Sequence, residues 1–347
     1  MRRYFFKKKE QGMRTFLTFV LLGLAQWLPL PAAAQMRIGW QVGDVSTVLT
    51  LAVERKIFEA QGLSVELRGF PAGPAMLPAL AAGEIDVAWM GEFPTTSGYA
   101  NGLPIEVILV PHMHRTHIRL IGNPANGIRS IADLKGKKIG VTIGSTSHHH
   151  LIRALSMAKL TPRDVTMVNL APANMVPAYV SGQVDAIVTW EPGAGEVEAR
   201  GGLRLATTES IGSITGILWV ARSEYVQKHP LEIQKFLHAW EKATDEYRRN
   251  PMESMKYEAK RLNQSVDELA KLTERQSIVF PTYSEQLSQN YLGKKGEQAD
   301  ARLMKHMQSV AAFLHGIDRI KEVPGDWSRL IDVGPLTTYQ QSKAGSN

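Results

Sequence analysis

IGVTIGSTSHHHLIRALSMAKL, residues 139–160, decides how the rest of the chain is read. A β-branched run ends at Gly144, three hydroxyl residues follow (Ser145, Thr146, Ser147), and Leu151, Ile152, Leu155 and Ala158 then recur at helical spacing. The pattern predicts strand, tight turn and helix. Ser or Thr at a helix start answers backbone N–H groups that lack an intrahelical partner, at the end carrying the positive pole of the helix dipole. Hydroxyls and bare amides together make a seat for an anion that needs no Lys or Arg. Taken alone, the stretch also reads as an ordinary N-cap.

The surrounding chain nearly repeats itself. Met76-Leu-Pro-Ala-Leu-Ala-Ala-Gly83-Glu-Ile-Asp86-Val-Ala aligns with Met175-Val-Pro-Ala-Tyr-Val-Ser-Gly182-Gln-Val-Asp185-Ala-Ile, each pair 99 positions apart. Each copy reads as a helix stopped by Gly, then a strand entered through Asp. The same offset sets Glu92 opposite Glu191, each just past its strand and beside a proline, Pro94 and Pro192. Ligands of open α/β sheets sit outside those strand ends, so two facing lobes would aim both carboxylates at one cleft.

The expected order is a strand at 37–42, a helix at 47–61, strands at 63–67, 85–90 and 105–110, and a strand at 117–122 that leaves lobe one. Strands at 138–142, 165–170, 184–190 and 203–207 build lobe two, and 216–221 carries the chain back. Such alternation argues for parallel α/β layers. The boundaries are a signal segment at 1–34, lobe one at 36–121 and 216–347, and lobe two at 122–215, with a two-strand hinge near Ile121 and Gly216. After Ala221 the pattern turns to long helices. Ile233, Phe236, Leu237, Trp240, Ala243 and Tyr247 share one face, and Leu303, Met307, Val310, Ala311 and Leu314 another. The polar tail after Thr338 reads as loose.

Composition bounds the function. At 347 residues, with 44% hydrophobic and 21% charged, the chain is globular and long enough for two lobes. Arg2, Arg3, Lys7, Lys8, Lys9 and Arg14 precede an apolar run from Phe16 to Leu30 and the small-residue exit Pro31-Ala32-Ala33-Ala34, which describes a cleaved secretory signal. Met13 is an alternative start of more usual signal length. That segment holds six basic residues and one Glu, so the formal charge of +7 falls to about +2 without it and nucleic-acid binding is not indicated. With no Cys there is no disulfide frame, thiolate metal site or lipid-anchored Cys. His148, His149 and His150 point in different directions on a helix, whereas His112 and His114 share a strand face. One of them, His148, is expected at the cleft and the others at the surface or in packing, with no metal and no cofactor. The chain has no G-x-S-x-G elbow, H-E-x-x-H, P-loop or dinucleotide fingerprint, so an enzyme is not expected.

Ile38-Gly-Trp-Gln41, Gly62-Leu-Ser-Val-Glu66, Leu80 to Asp86, Leu134 to Val141, Ser145-Thr-Ser-His148 and Val188-Thr-Trp-Glu-Pro192 resemble the periplasmic substrate-binding proteins of ABC importers in the taurine, alkanesulfonate and nitrate group, over about Met36 to Pro335. The Ser145–His148 run is closest to taurine binders, which have Ser-Thr-Thr-His there. The resemblance implies a type II periplasmic-binding fold: two lobes, each a mainly parallel sheet flanked by helices. It implies a periplasmic monomer that closes on a small organic anion, such as taurine or another alkanesulfonate, and hands it to an ABC permease in the inner membrane. The site it implies comprises Ser145, Thr146, Ser147, His148, Gln41, Asp44, Glu92, Phe93, Trp190, Glu191 and Thr215. Taurine binders offer an acid to the ammonium on the returning strand, whereas Thr215-Gly-Ile-Leu-Trp219 has none, so Glu92, Glu191 or Asp44 would take that part. Trp40, Phe93 and Trp190 would exclude water along the spacer. A nitrogenous ligand such as a pyrimidine vitamin precursor is the alternative, favoured by Glu92 and Glu191 and by the aromatic walls; an exported metal-binding or hydrolytic protein is the alternative outside the class.

Overall fold

The computed structural model describes residues 35–345, so the proposed signal segment lies outside the described residues. Two sheets organise the chain. The first has the order β11-β4-β10-β3-β1-β2 and the second β7-β6-β8-β5-β9. The strands of the first are β1 (Met36–Gln41), β2 (Val65–Phe70), β3 (Val87–Gly91), β4 (Ile105–His114), β10 (Thr215–Arg222) and β11 (Ile278–Val279). Those of the second are β5 (Arg119–Gly122), β6 (Lys138–Val141), β7 (Thr166–Asn169), β8 (Ala186–Thr189) and β9 (Leu203–Thr207).

The sheets are built alike. Setting β11 aside, each holds a parallel trio (β2-β1-β3 and β7-β6-β8), then a reversed strand (β10 and β5), then a strand antiparallel to that one (β4 and β9). The reversed strand is in both cases the first one laid down after the chain crosses from the other sheet, which is why its direction is opposite. Both sheets are thus mainly parallel, with helices at their faces, in a two-lobed α/β fold. Arg119–Gly122 pairs with β8 and β9, so the chain crosses before it, over Arg115–Ile118, upstream of Ile121.

The internal repeat is repeated in three dimensions. Met76–Ala81 and Met175–Val180 are both six-residue helices, and Gly83 and Gly182 follow with φ of 69° and 72°, a conformation glycine adopts without steric cost. Asp86 accepts the Arg37 N–H at 3.0 Å while its own N–H donates to the Arg37 carbonyl at 2.8 Å. Asp185 does the same with Lys138, at 2.9 and 2.8 Å. Each Asp therefore ties the start of its strand to the start of the central strand beside it.

The first sheet buries the larger core. Trp89, Trp219 and Trp240 meet edge to face with centroids 5.0–5.5 Å apart, and Phe236 closes on Trp219 at 5.0 Å. Pro230–Arg249 buries the stripe Ile233, Phe236, Leu237, Trp240, Ala243 and Tyr247 against that sheet, as its spacing predicts. Arg302–Gly316 packs on the Glu92–Ala100 helix through Val310, Ala311 and Leu314. Three expectations differ in detail. The helix from Thr47 breaks at Lys56, whose φ is +53°, into Thr47–Glu54 and Ile57–Ala60; the second strand runs Val65–Phe70; and the tail is helical over Gly334–Ala344. That last helix is held by Leu336 and Tyr339 in the core and by the Tyr339 hydroxyl donating to Glu241 at 2.8 Å, contacts that a polar sequence does not announce. Among the described residues no helix is long and apolar enough to cross a membrane.

Candidate ligand-binding site

Both sheets present the C-terminal ends of their central strands to a narrow cavity of about 30 Å³, room for roughly two waters. On one wall are Ser145 and Thr146, after β6, with Trp190 after β8; on the other are Gln41 and Asp44, after β1, and Gly91, at the end of β3. The crossing segments close it with His114, His117, Ile118, Thr215, Gly216 and Ile217. Gly73, Pro74 and Pro94 complete the lining. A Cβ at Gly91 would stand 2.8 Å from the Thr146 hydroxyl oxygen, so the two walls meet there only because residue 91 is glycine.

Ser145 caps the Thr146–Met157 helix with extended backbone (φ −93°, ψ 172°), yet its side chain does not cap it. The Ser145 hydroxyl donates to the Thr142 carbonyl at 2.7 Å and lies 2.7 Å from the Ser147 hydroxyl, which is fully buried and off the cavity. No hydrogen bond within the described residues takes up the backbone N–H of Thr146 or Ser147. The helix start therefore borders the cavity at Thr146, with that N–H free of an intrahelical partner.

The corresponding turn in the first lobe has a carboxylate beside it. Its Thr47–Glu54 helix starts at Ser46, whose N–H donates to Glu258 Oε1 at 2.7 Å, and the Thr50 hydroxyl donates to Glu258 Oε2 at 2.6 Å. Arg261 answers the same carboxylate at 2.6 and 2.8 Å. Glu258 thus takes the N-cap N–H of the first-lobe helix, as the Thr142 carbonyl takes that of Ser145. Within the described residues the N–H groups of Thr47 and Val48 lack acceptors, like those of Thr146 and Ser147. The copies differ in that a buried carboxylate stands beside the first helix start and the cavity beside the second.

Of the residues predicted for the site, Ser145, Thr146, Gln41, Asp44, Trp190 and Thr215 line the cavity, with Gln41 Oε1 accepting the Gly73 N–H at 3.0 Å. Five predicted residues lie elsewhere. Glu191 is fully buried behind the lining, 2.9 Å from Arg119 Nη1 and 3.5 Å from Arg275 Nε, and accepts the Gly195 N–H at 2.8 Å. Glu92 turns onto the returning strand, accepting from the Thr215 hydroxyl at 3.2 Å and the Gly216 N–H at 3.4 Å, with His306 Nε2 at 3.8 Å. Phe93 points away, packed against Val310, Ala311, Leu314 and the His149 ring, because the Arg302–Gly316 helix covers its side of the sheet. His148 is buried behind the turn, edge-on to Phe93, and Ser147 is held by Ser145. Trp40 stands under the Arg261 guanidinium, 4.8 Å from its centroid, rather than on the cavity.

The histidines at the cavity are His114 and His117 instead. Their rings stack at 4.0 Å, and His112 meets His114 edge-on at 4.5 Å on the shared strand face. Burial drives all three well below the usual imidazole range, His112 to about 3, so they are neutral at pH 7. Both ring nitrogens of His114 and Nδ1 of His117 are buried without a hydrogen-bond partner. Their sequence signal was the alternation in His112 to His117 next to a crossing, a place where strand ends meet the cleft.

Residues 45–254 match the NMT1/THI5-like family. An aliphatic sulfonates-binding protein of Escherichia coli is 32% identical over 67% of this chain and 74% of its own length. The taurine-binding periplasmic protein of the same organism is 30% identical over 55% of this chain and 59% of its own. Among solved structures, the alkanesulfonate-binding protein SsuA of Xanthomonas axonopodis pv. citri, bound to MOPS, superposes with a TM-score of 0.69 at 25% identity, covering 88% of this chain and 99% of that one.

Proposed function

Because the chain belongs to the NMT1/THI5-like family, we propose that it is the periplasmic solute-binding component of an ABC importer, that its ligand is a small organic anion of the taurine and alkanesulfonate class, and that it is not an enzyme. One observation carries the choice of an anion. The Thr146–Met157 helix starts on the cavity, with the Thr146 N–H unanswered within the described residues, while beside the equivalent helix start stands Glu258, an anion the protein supplies to itself. A sulfonate brings three acceptor oxygens and a permanent charge to those donors, and charge-assisted bonds are the stronger kind. Among the described residues no Lys or Arg lines the cavity, so the helix dipole with the Thr146 N–H and hydroxyl takes the task.

The cavity is too small for such a ligand as it stands, so the lobes open and close by motion at the two crossings, Arg115–Ile118 and the segment 208–214. The closed form, with Gly91 against Thr146, is the one offered to the permease. The glutamates that favoured a pyrimidine-type ligand are off the cavity, and of the aromatic walls Trp190 alone lines it, which weakens that reading.

A thermal-shift and calorimetry panel tests the proposal with taurine, propanesulfonate, longer alkanesulfonates, nitrate and a cationic pyrimidine. Sulfonates are expected to stabilise by about 2.7 kcal/mol at one hundred times Kd. Gly91→Ala, which wedges the closed form open, should lower that affinity several-fold. Stabilisation by the pyrimidine and by no sulfonate would overturn the reading.

A further inference from the structure

We infer that the ligand is a zwitterion, with a protonated nitrogen a short spacer away from its anionic head, and that Asp44 is the residue that receives this nitrogen. The inference rests on the cavity being the solute site, and it is reached by comparing the three carboxylates near it. Glu191 already has two guanidinium partners, Arg119 and Arg275. Glu92 is engaged by Thr215, the Gly216 N–H and His306. Neither reaches the lining.

Asp44 does, and no cation touches its carboxylate, Arg261 acting on it only at longer range. It is 2% exposed; its carboxylate accepts one N–H, from Val45 at 2.8 Å, and stands 4.0 Å from His117 Nε2. Arg261 is committed to Glu258 and donates to the Asp44 carbonyl, at 2.6 Å, rather than to its carboxylate. The remaining polar neighbours are Trp89 and Glu258, and the second of these is itself an acid. A carboxylate taken out of water beside a cavity without a countercharge is costly, and an ammonium entering that cavity removes the cost.

The imidazoles beside it fit the same guest. His114 and His117 line the cavity, are held neutral by burial, and keep ring nitrogens unpartnered, so one can accept a second N–H of the guest. Burial, aided by Glu258, raises Asp44 to about 7 in the empty protein. A cation arriving there pulls the carboxyl back toward its ordinary range, so binding at pH 7 releases part of a proton.

The experiment is calorimetry on the mature protein with taurine and propanesulfonate, which differ by an ammonium against a methyl group at the same chain length. Taurine should bind about tenfold tighter or more, and its heat at pH 7 should change between two buffers of different ionisation enthalpy. Asp44→Asn should remove most of the taurine preference, bringing the taurine-to-propanesulfonate affinity ratio toward one. Equal affinities in the unmodified protein overturn the inference, and that measurement requires no variant to fold. If propanesulfonate binds and depends on Thr146 but not Asp44, the anion site stands and the zwitterion does not. If neither sulfonate binds, the proposed function fails, and this inference fails with it.

Discussion

Two helix starts occupy equivalent places in the two lobes, and they differ in what stands beside them. Beside Ser46 the protein sets its own carboxylate, Glu258, held in turn by Arg261. Beside Ser145 the same place borders the cavity. One copy of the duplicated unit thus has an internal anion where the other has space. The lesson is general: when two copies of a motif share a backbone, the copy with a cavity in place of an internal partner is the one to examine for a ligand.

The largest test removes the internal anion. Glu258→Ala leaves Arg261 unpaired and strips the Ser46 N–H and Thr50 hydroxyl of their acceptor, so urea unfolding should show a loss of about 3–5 kcal/mol. A loss below about 1 kcal/mol would mean that the first-lobe helix start does not need its anion, and the contrast between the copies would lapse.

Acid should act on the buried imidazoles of both lobes. His148, His149 and His150 stand on the second-lobe helix where the first-lobe one carries Leu49, Thr50 and Leu51. Burial lowers His148 and His150 to about 4 and His149 further, and His112, His114 and His117 are lowered in the same way. Between about pH 4 and 6.5 the unfolded chain binds protons on six imidazoles that the fold keeps neutral, so stability rises with pH in that window. Asp44 and Glu106, raised to about 7 by burial, oppose it, since they hold protons in the fold that the unfolded chain has lost. Six groups outweigh two. Urea midpoints between pH 4.5 and 6 should climb by at least about 1.4 kcal/mol per pH unit; a flat profile would contradict the burial of the imidazoles.

The aspartates sharpen the comparison further. Asp86 takes the Arg37 N–H and both ends of its guanidinium, at 2.6–3.0 Å, with Arg222 at 3.5 Å. Asp185 has only the Lys138 N–H and the Asn126 amide. Asp86→Asn should therefore cost about 2 kcal/mol and Asp185→Asn less than about 1 kcal/mol. Equal losses would show that the strand-end bond, rather than the ion pairs, carries both.

How much of this could be read beforehand follows from the same contrast. The repeat, its glycine stops and its strand-entry aspartates were legible because they are local: a helix end needs a positive φ, and a strand start needs an acceptor. The turn at Ser145 was legible for the same reason. What escaped were choices made by distant partners. Whether Glu92 and Glu191 face a cleft depends on Thr215, His306, Arg119 and Arg275, which lie 72 residues or more away in sequence. Phe93 was misplaced because the helix that covers it comes over 200 residues later. His114 and His117 were passed over because their position at a crossing is a property of the topology, not of the strand that bears them.

The smallest effect isolates the open donor itself. Thr146 is the first residue of its helix, and proline is tolerated there because that N–H has no intrahelical partner and the ring fixes a φ already helical. Ser145 before it is extended, as a residue preceding proline prefers. Thr146→Pro should therefore leave the unfolding midpoint within about 0.5 kcal/mol while weakening sulfonate binding by about tenfold, through loss of one charge-assisted donor and one hydroxyl. Thr146→Val, which removes the hydroxyl and keeps the N–H, divides the two contributions. If valine loses as much as proline, the hydroxyl holds the anion and the helix start is incidental; if valine loses little, the unanswered amide beside the cavity is what holds it.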